Sequence, residues 1–184
     1  MASNKSTFFK SLWLKPVNRW IIATLIIILL VIQWPVFFLQ ASDNKTGVVL
    51  YRHSLRLNDE FQVSYTHSVE KTPVVEHYRI MPDKRILLTE MVYQSYGAGL
   101  PTDKDYDYEI FEDSFRLYNI NKVSSALVYR TDPQTLDLDM RLIFDDESIP
   151  FRQFSEERSS IKLEIKRNPL WLFYIKEWYN KTSS

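Results

Sequence analysis

The stretch EFQVSYTHSVEKTPVVEHYRI, residues 60–80, indicates the fold because two segments of strand character flank a polar turn. In its first half every second residue is apolar or aromatic: Phe61, Val63, Tyr65 and His67. A period of two is that of a β-strand with one buried face. The second half is rich in β-branched and aromatic residues, which are enriched in strands. The stretch therefore predicts a β-hairpin.

The same signals recur along the chain as far as residue 167. Strict alternation returns in TLDLDMRLIF (135–144) and SIKLEIKR (160–167). Further segments have strand composition: GVVLYR, RILLTEMVYQ, YEIFEDSFRLY and SSALVYR. Their close spacing leaves little room for the helical crossovers that parallel strands need. Residues 47–167 are therefore predicted to form an all-β domain, an antiparallel β-sandwich or small barrel of about eight strands.

An apolar segment precedes this domain. Residues 20–39, WIIATLIIILLVIQWPVFFL, carry no charge over 20 positions, enough for a helix to cross a hydrocarbon layer of roughly 30 Å. The flank at 1–19 is basic, which favours a cytoplasmic N-terminus. We expect a transmembrane helix over 20–39, a linker over 40–46 and an extracytoplasmic domain in a single-pass cell-membrane protein. A signal peptide cleaved after Ala41 is the alternative.

The C-terminal segment, residues 168–184, changes character. Trp171, Tyr174, Ile175 and Trp178 recur at helical spacing, with polar residues on another side. This aromatic amphipathic tail predicts a short C-terminal helix. A helix packed on the sheet, a last strand, a helix at the membrane interface and a helix docked to a membrane partner all remain open.

Charge and cysteine content narrow the class of protein. Basic and acidic residues number 23 each, but four basic residues precede residue 20 and every acidic residue follows residue 42. The exported part is therefore net acidic, which argues against nucleic acid as a partner. The chain has no cysteine, so the domain depends on its core for stability.

Polar groups gather at the end of the first hairpin, where His67, Ser68, Glu70 and Glu76 lie within ten positions. Metal binding is disfavoured because no helix aligns these ligands and no second histidine pair accompanies them. Hydrolysis is disfavoured because adjacent strand residues point to opposite faces. We expect no catalytic residue, no metal and no cofactor here; a structural turn is the alternative to a binding role.

The stretch SYGAGLP, residues 95–101, holds two of the three glycines in the chain, Gly97 and Gly99. It lacks the third glycine and the lysine of phosphate-binding loops and is followed by Pro101 and acidic residues. Two such glycines permit positive φ or expose bare amide groups to a close neighbour. A binding loop and a tight structural loop are both consistent with the pattern.

These two stretches resemble the signatures of the bacterial family known as domain of unknown function eighteen-fifty. The resemblance rests on HSVE-x-x-PV-x-E at His67–Glu76 and S-x-GAGLP at Ser95–Pro101, and it covers roughly residues 46–145. Members are small exported or membrane-anchored proteins, commonly encoded beside the receptor and fused membrane component of TAXI-type TRAP transporters. The resemblance implies a transport accessory role and brings no catalytic residues.

We therefore expect a non-enzymatic, membrane-anchored accessory protein associated with a TAXI-type TRAP transporter for organic acids. Its partners would be the cytoplasmic membrane and the transporter membrane subunit or its solute receptor. The expected binding residues are Tyr65, His67, Ser68, Glu70, Glu76, Ser95, Gly97 and Gly99. The alternatives are an extracytoplasmic small-molecule or ion sensor using the same surface, and a hydrolase using His67 and a glutamate.

Overall fold

The computed structural model describes residues 16–94, 106–111, 113–131, 139–145, 147–155 and 159–182. Within these ranges the chain forms two helices, eleven strands and a short 3-10 turn at Phe151–Gln153. The helices are α1 (Pro16–Ile32) and α2 (Leu170–Thr182). The strands are β1 (Pro35–Asp43), β2 (Val49–Leu55), β3 (Glu60–Thr66), β4 (Pro73–Ile80), β5 (Ile86–Tyr93), β6 (Asp107–Phe111), β7 (Ser114–Ser124), β8 (Leu127–Thr131), β9 (Arg141–Phe144), β10 (Glu147–Pro150) and β11 (Ser159–Pro169).

The strands form two sheets. The larger has seven strands in the order β10-β9-β3-β4-β5-β7-β6, and its neighbouring strands run antiparallel. The smaller has four strands in the order β2-β1-β11-β8, with antiparallel β1–β2 and β8–β11 pairs. The predicted all-β antiparallel class is confirmed.

Side chains from both sheets meet in one hydrophobic core. Leu39 of β1 and Leu163 of β11 come from the small sheet, while Phe61, Val63 and Leu142 come from β3 and β9 of the large sheet. All five are at most 1% exposed. The alternation read in residues 60–68 and 160–167 therefore follows the buried face of each strand, and the two sheets form a β-sandwich.

The strand count differs from the prediction of about eight. The segment read as one strand at 108–118 is two, because Phe111 of β6 pairs with Ser114 of β7 and the chain reverses between them. A four-residue strand, β10, lies after β9. The remaining addition among the described residues is β1, hidden in the apolar segment that was assigned to a helix.

The predicted helix over 20–39 is wrong at its C-terminal end. α1 ends at Ile32, and β1 begins at Pro35. Proline has no backbone N–H and disfavours helical geometry in the residue before it, so a helix stops here readily. Phe38 and Leu39 are at most 2% exposed. Leu39 belongs to the sandwich core, and Phe38, its neighbour in β1, is buried on the opposite face of the strand. An uncharged run alone does not distinguish such a buried strand from a membrane segment.

The predicted linker over 40–46 is also wrong, since it is the end of β1 and the turn into β2. The Asp43 carboxylate accepts hydrogen bonds from the backbone N–H of Thr46 (2.6 Å) and of Lys45 (3.0 Å). These bonds, led by that of Thr46, lower the pKa of Asp43. Gly47 adopts a φ of +74°, which closes the turn. The β domain accordingly begins near residue 36 instead of 47.

The described residues up to Pro35 and from Asn168 onward make a separate unit that contains both helices, here called the helical unit. Within it the Leu170 N–H donates to the Trp34 carbonyl at 2.9 Å, so α2 begins beside the end of α1. Apolar side chains of α1 are largely exposed, among them Trp20 at 77% and Leu29 at 63%. In the part of the chain that is described, neither helix combines the length and apolar character required to traverse a bilayer. The predicted short C-terminal helix is confirmed by α2.

Candidate functional site

A carboxylate on the core-facing side of the large sheet collects the densest set of polar contacts. Glu76 of β4 accepts a hydrogen bond from the Tyr78 hydroxyl at 2.9 Å and a weaker one from the Tyr65 hydroxyl at 3.3 Å. The Tyr129 hydroxyl, from β8 of the small sheet, donates to the same carboxylate at 2.6 Å. These four residues, the Glu76 cluster, therefore join the two sheets through one acidic group.

The register of β3 and β4 explains why Glu76 faces inward. Val63 pairs with Glu76 and Tyr65 pairs with Val74, so their side chains share one face of the sheet. Val63 is fully buried and Val74 is 4% exposed. With Tyr78 two residues further along β4, alternation puts a glutamate between buried apolar positions, where its oxygens need partners.

Two tyrosine hydroxyls and one carboxylate oxygen form a triangle. The Tyr78 and Tyr129 hydroxyl oxygens lie 3.0 Å apart, and both contact Oε2 of Glu76. Each hydroxyl carries one proton, so the two hydroxyls can donate to only two of these three contacts at a time. The hydroxyls share their donation between the carboxylate and each other.

The tyrosines of the Glu76 cluster are held in their protonated form. Burial, and then the nearby negative charge of Glu76, raise the pKa values of Tyr65, Tyr78 and Tyr129 well above the ordinary value for a phenol. A phenol that resists deprotonation serves as a hydrogen-bond donor and is a poor base or nucleophile. The cluster is thus suited to fixing or recognising a carboxylate more than to proton transfer.

His67 lies in the turn between β3 and β4 and is bonded into it. The imidazole Nδ1 of His67 accepts a hydrogen bond from the backbone N–H of Glu70 at 3.2 Å. In the backbone, the His67 N–H donates to the Thr72 carbonyl at 2.7 Å, and the His67 carbonyl accepts from the Lys71 N–H at 2.9 Å. Lys71 has a φ of +57°, as a tight turn requires. An imidazole that accepts at Nδ1 carries its neutral-state proton on Nε2.

The other predicted site residues divide into two groups. Ser68 is exposed and Glu70 half-buried in the same turn, whose tip is Val69 at 74% exposure. Ser95, Gly97 and Gly99 lie outside the described residues.

The last residue of β5, Tyr93, pairs with Val74 at the start of β4. β5 therefore ends at the same end of the sheet as the His67 turn.

The structure brings together Tyr65 and Glu76 from the predicted set and adds two residues that the sequence reasoning missed. Tyr78 carried a usable signal, since it follows Glu76 by two positions in a strand and so shares its face. Tyr129 carried none, because only the packing of one sheet on the other brings it to Glu76. Throughout the described ranges, no group of three or more histidine, aspartate or glutamate side chains is arranged to hold a metal ion.

A second polar group lies at another edge of the sandwich. The His53 ring of β2 stacks on Phe144 of β9, with ring centroids 3.8 Å apart and planes 6° from parallel. Its Nδ1 lies 3.1 Å from the Tyr51 hydroxyl and 3.7 Å from a Glu147 carboxylate oxygen. Burial lowers the pKa of His53, and the opposing attraction of Glu147 does not offset it.

Comparison with known proteins gives one match. The family model described as Domain of unknown function (DUF1850) matches residues 61–151. No curated protein and no solved structure matches the chain. The matched range begins within β3 and ends just after β10, so it contains every residue of the Glu76 cluster and excludes β1, β2, β11 and both helices.

Proposed function

Through residues 61–151 this chain belongs to the DUF1850 family of domains of unknown function, and on that premise we propose that it is a non-enzymatic accessory protein that docks to a membrane transporter. The docking surface is the end of the sandwich formed by the His67 turn, with Ser68 and Val69 at its tip. The partner is a TAXI-type TRAP transporter, through its membrane subunit or solute receptor, as the family resemblance implies.

The observation that carries this proposal is the bonding of His67 into its own turn. The Nδ1 lone pair that a general base would need is occupied by the Glu70 N–H. Glu76 is likewise engaged by three tyrosine hydroxyls. The bonds of His67 thus hold its turn in place, and a pre-organised turn loses little entropy when a partner binds it.

The apolar segment of α1 supports attachment to the cytoplasmic membrane. α1 contains Arg19 and continues into the uncharged stretch Trp20–Ile32, and the basic residues before it favour a cytoplasmic N-terminus. Only Gln33 and Trp34 separate α1 from β1. In this proposal the crossing takes in more of the chain than the described helix α1, which alone is too short, and the sandwich lies on the outer side, where the solute receptor of such a transporter works.

Co-purification tests the docking. Tagged full-length protein is expressed with the transporter operon, extracted in mild detergent and assayed for retention of the membrane subunit and the receptor. Val69→Asp, at the tip of the turn, is expected to reduce retention at least about tenfold, since a charge in a desolvated contact costs over about 1.4 kcal/mol. Val48→Asp is the matched control. Val48 is also an exposed valine, 58% accessible, but it lies in the β1–β2 connection, so this variant is expected to retain the partner.

Two results would count against the proposal. If neither transporter protein is retained by the wild type, the accessory role fails. If the wild type retains a partner and Val69→Asp retains it equally well, the role survives but the His67 turn is not the contact surface.

A further inference from the structure

The C-terminal helix α2 exposes large aromatic side chains. The exposed fractions are 44% for Trp171, 62% for Tyr174, 56% for Ile175, 68% for Trp178 and 65% for Tyr179. Side chains of this size carry the largest apolar area of the helix, and within the helical unit that area is left uncovered.

The exposed residues share one side of α2. At about 100° per residue, Trp171, Tyr174, Ile175 and Trp178 fall within roughly 100° of one another, and Tyr179 lies at the margin of this arc. Lys176 is exposed on a different side. We call Trp171, Tyr174, Ile175, Trp178 and Tyr179 the aromatic face. It combines apolar ring bodies with indole N–H and phenol hydroxyl groups.

The start of α2 is fixed beside the end of α1. The Leu170 N–H donates to the Trp34 carbonyl, and both residues belong to the helical unit. If the apolar side chains of α1 are in the bilayer, Trp34 marks the level at which the apolar segment ends. α2 then begins at that level, and Lys176 opposes its entry into the hydrocarbon interior.

We propose that the aromatic face of α2 lies against the phospholipid surface, with its rings among the headgroups and upper acyl chains. This inference rests on the proposed membrane attachment through α1. Tryptophan and tyrosine concentrate at this depth because their rings are apolar at one end and hydrogen-bond at the other. The lipid surface is favoured over a protein groove because the Leu170–Trp34 bond brings α2 to the interface without any partner. α2 is thus a second, interfacial contact of the helical unit with the membrane.

Depth-dependent quenching of tryptophan fluorescence tests this arrangement. Full-length protein with a single tryptophan, the other four replaced by Phe, is reconstituted in phosphatidylethanolamine and phosphatidylglycerol vesicles containing brominated lipid. One variant keeps Trp178 and reports α2; another keeps Trp20 and reports α1. Trp178 is expected to be quenched more by lipid brominated near the headgroup than by lipid brominated near the chain end.

Matched substitutions separate the aromatic face from the rest of α2. In the Trp178 reporter, Tyr174→Ser with Tyr179→Ser is expected to weaken the quenching by roughly half, because two interfacial rings are lost. Lys176→Ser is expected to leave the depth preference unchanged. Circular dichroism of each variant checks that helix content is retained.

The two reporters distinguish failure of the inference from failure of membrane attachment. Quenching of Trp20 without Trp178 overturns the α2 inference and leaves the α1 proposal intact. Quenching of Trp178 without Trp20 supports lipid contact by α2 and overturns attachment through α1. If neither tryptophan is quenched, both the α2 inference and the proposed attachment through α1 are wrong. A Trp178 signal that changes only after the transporter is co-reconstituted identifies a protein surface as the occupant and overturns the lipid inference.

Discussion

At the scale of single residues, Glu76 is the point on which the polar contacts between the sheets converge. Hydrogen bonds to a charged group contribute about 1.5–3 kcal/mol each, and a buried donor left without an acceptor costs a further penalty. Three hydroxyls depend on this one carboxylate. Its removal is therefore expected to weaken the attachment of the small sheet to the large one.

Glu76→Leu is expected to lower the free energy of unfolding by about 2–4 kcal/mol, because it removes the acceptor of three tyrosine hydroxyls and leaves Tyr78 and Tyr129 bonded only to each other. Glu76→Gln retains one acceptor oxygen, so we expect a loss of about half that size. Urea unfolding of the full-length protein, followed by circular dichroism, measures both.

Glu60→Leu is the matched control for Glu76. Glu60 lies on the neighbouring strand β3 and contacts Arg79 at 2.6 Å, but both side chains are about half exposed. An exposed ion pair of this kind contributes about 0–1 kcal/mol. Equal destabilisation by Glu60→Leu and Glu76→Leu would contradict the role assigned to the Glu76 cluster.

His53 makes the stability of the sandwich depend on pH. Its pKa is lowered by burial in the folded state, so the unfolded chain binds the proton more readily. Stability is therefore lost as pH falls below the unfolded value of about 6.5 and on through the folded pKa. His53→Phe retains a ring against Phe144 and removes the titration, so its melting temperature is expected to fall less than that of the wild type between neutral and mildly acidic pH. Parallel decreases in the two proteins would exclude His53 as the source.

At the scale of elements, the strands with one buried face could be predicted from the sequence. Phe61 and Val63 alternate with polar residues, and such a period has no helical alternative. β1 could not be predicted, because it continues an uncharged run that begins in α1 and a buried strand lacks alternation in composition. Pro35 was the local signal for the boundary.

The Glu76 cluster could be predicted only in part, because some of its contacts lie within one hairpin and others depend on how the two sheets pack. Tyr65 and Glu76 belong to one hairpin, so sequence proximity and strand pairing bring them together. Tyr129 lies more than fifty positions away along the chain, and its contact with Glu76 depends on how the sheets stack. The role of His67 as a hydrogen-bond acceptor within its turn could not be predicted from the sequence either. A histidine at this position is compatible both with a binding site and with a structural turn.

At the scale of the whole molecule, the limits of the sandwich determine which fragment folds. β1 lies between β2 and β11 in the small sheet. Without it β2 loses its only sheet neighbour among the described strands, the core loses Leu39, and the buried Phe38 on the other face of β1 is lost as well. Burying each of these side chains contributes about 1.5–3 kcal/mol. Their loss alone therefore removes a large part of the free energy of unfolding, which is typically about 5–15 kcal/mol.

The fragment of residues 36–167 is therefore expected to unfold cooperatively, whereas the fragment of residues 47–167 is expected to lack a cooperative transition. Thermal unfolding followed by near-ultraviolet circular dichroism compares them, since that signal reports fixed aromatic packing. Leu39→Ala in the longer fragment is an intermediate case and should remain folded with stability lowered by about 2–5 kcal/mol, because Leu39 is fully buried in the sandwich core. Equal cooperative transitions in the two fragments would mean that β1 is dispensable, and the uncharged run at 35–39 would again be available to the membrane segment.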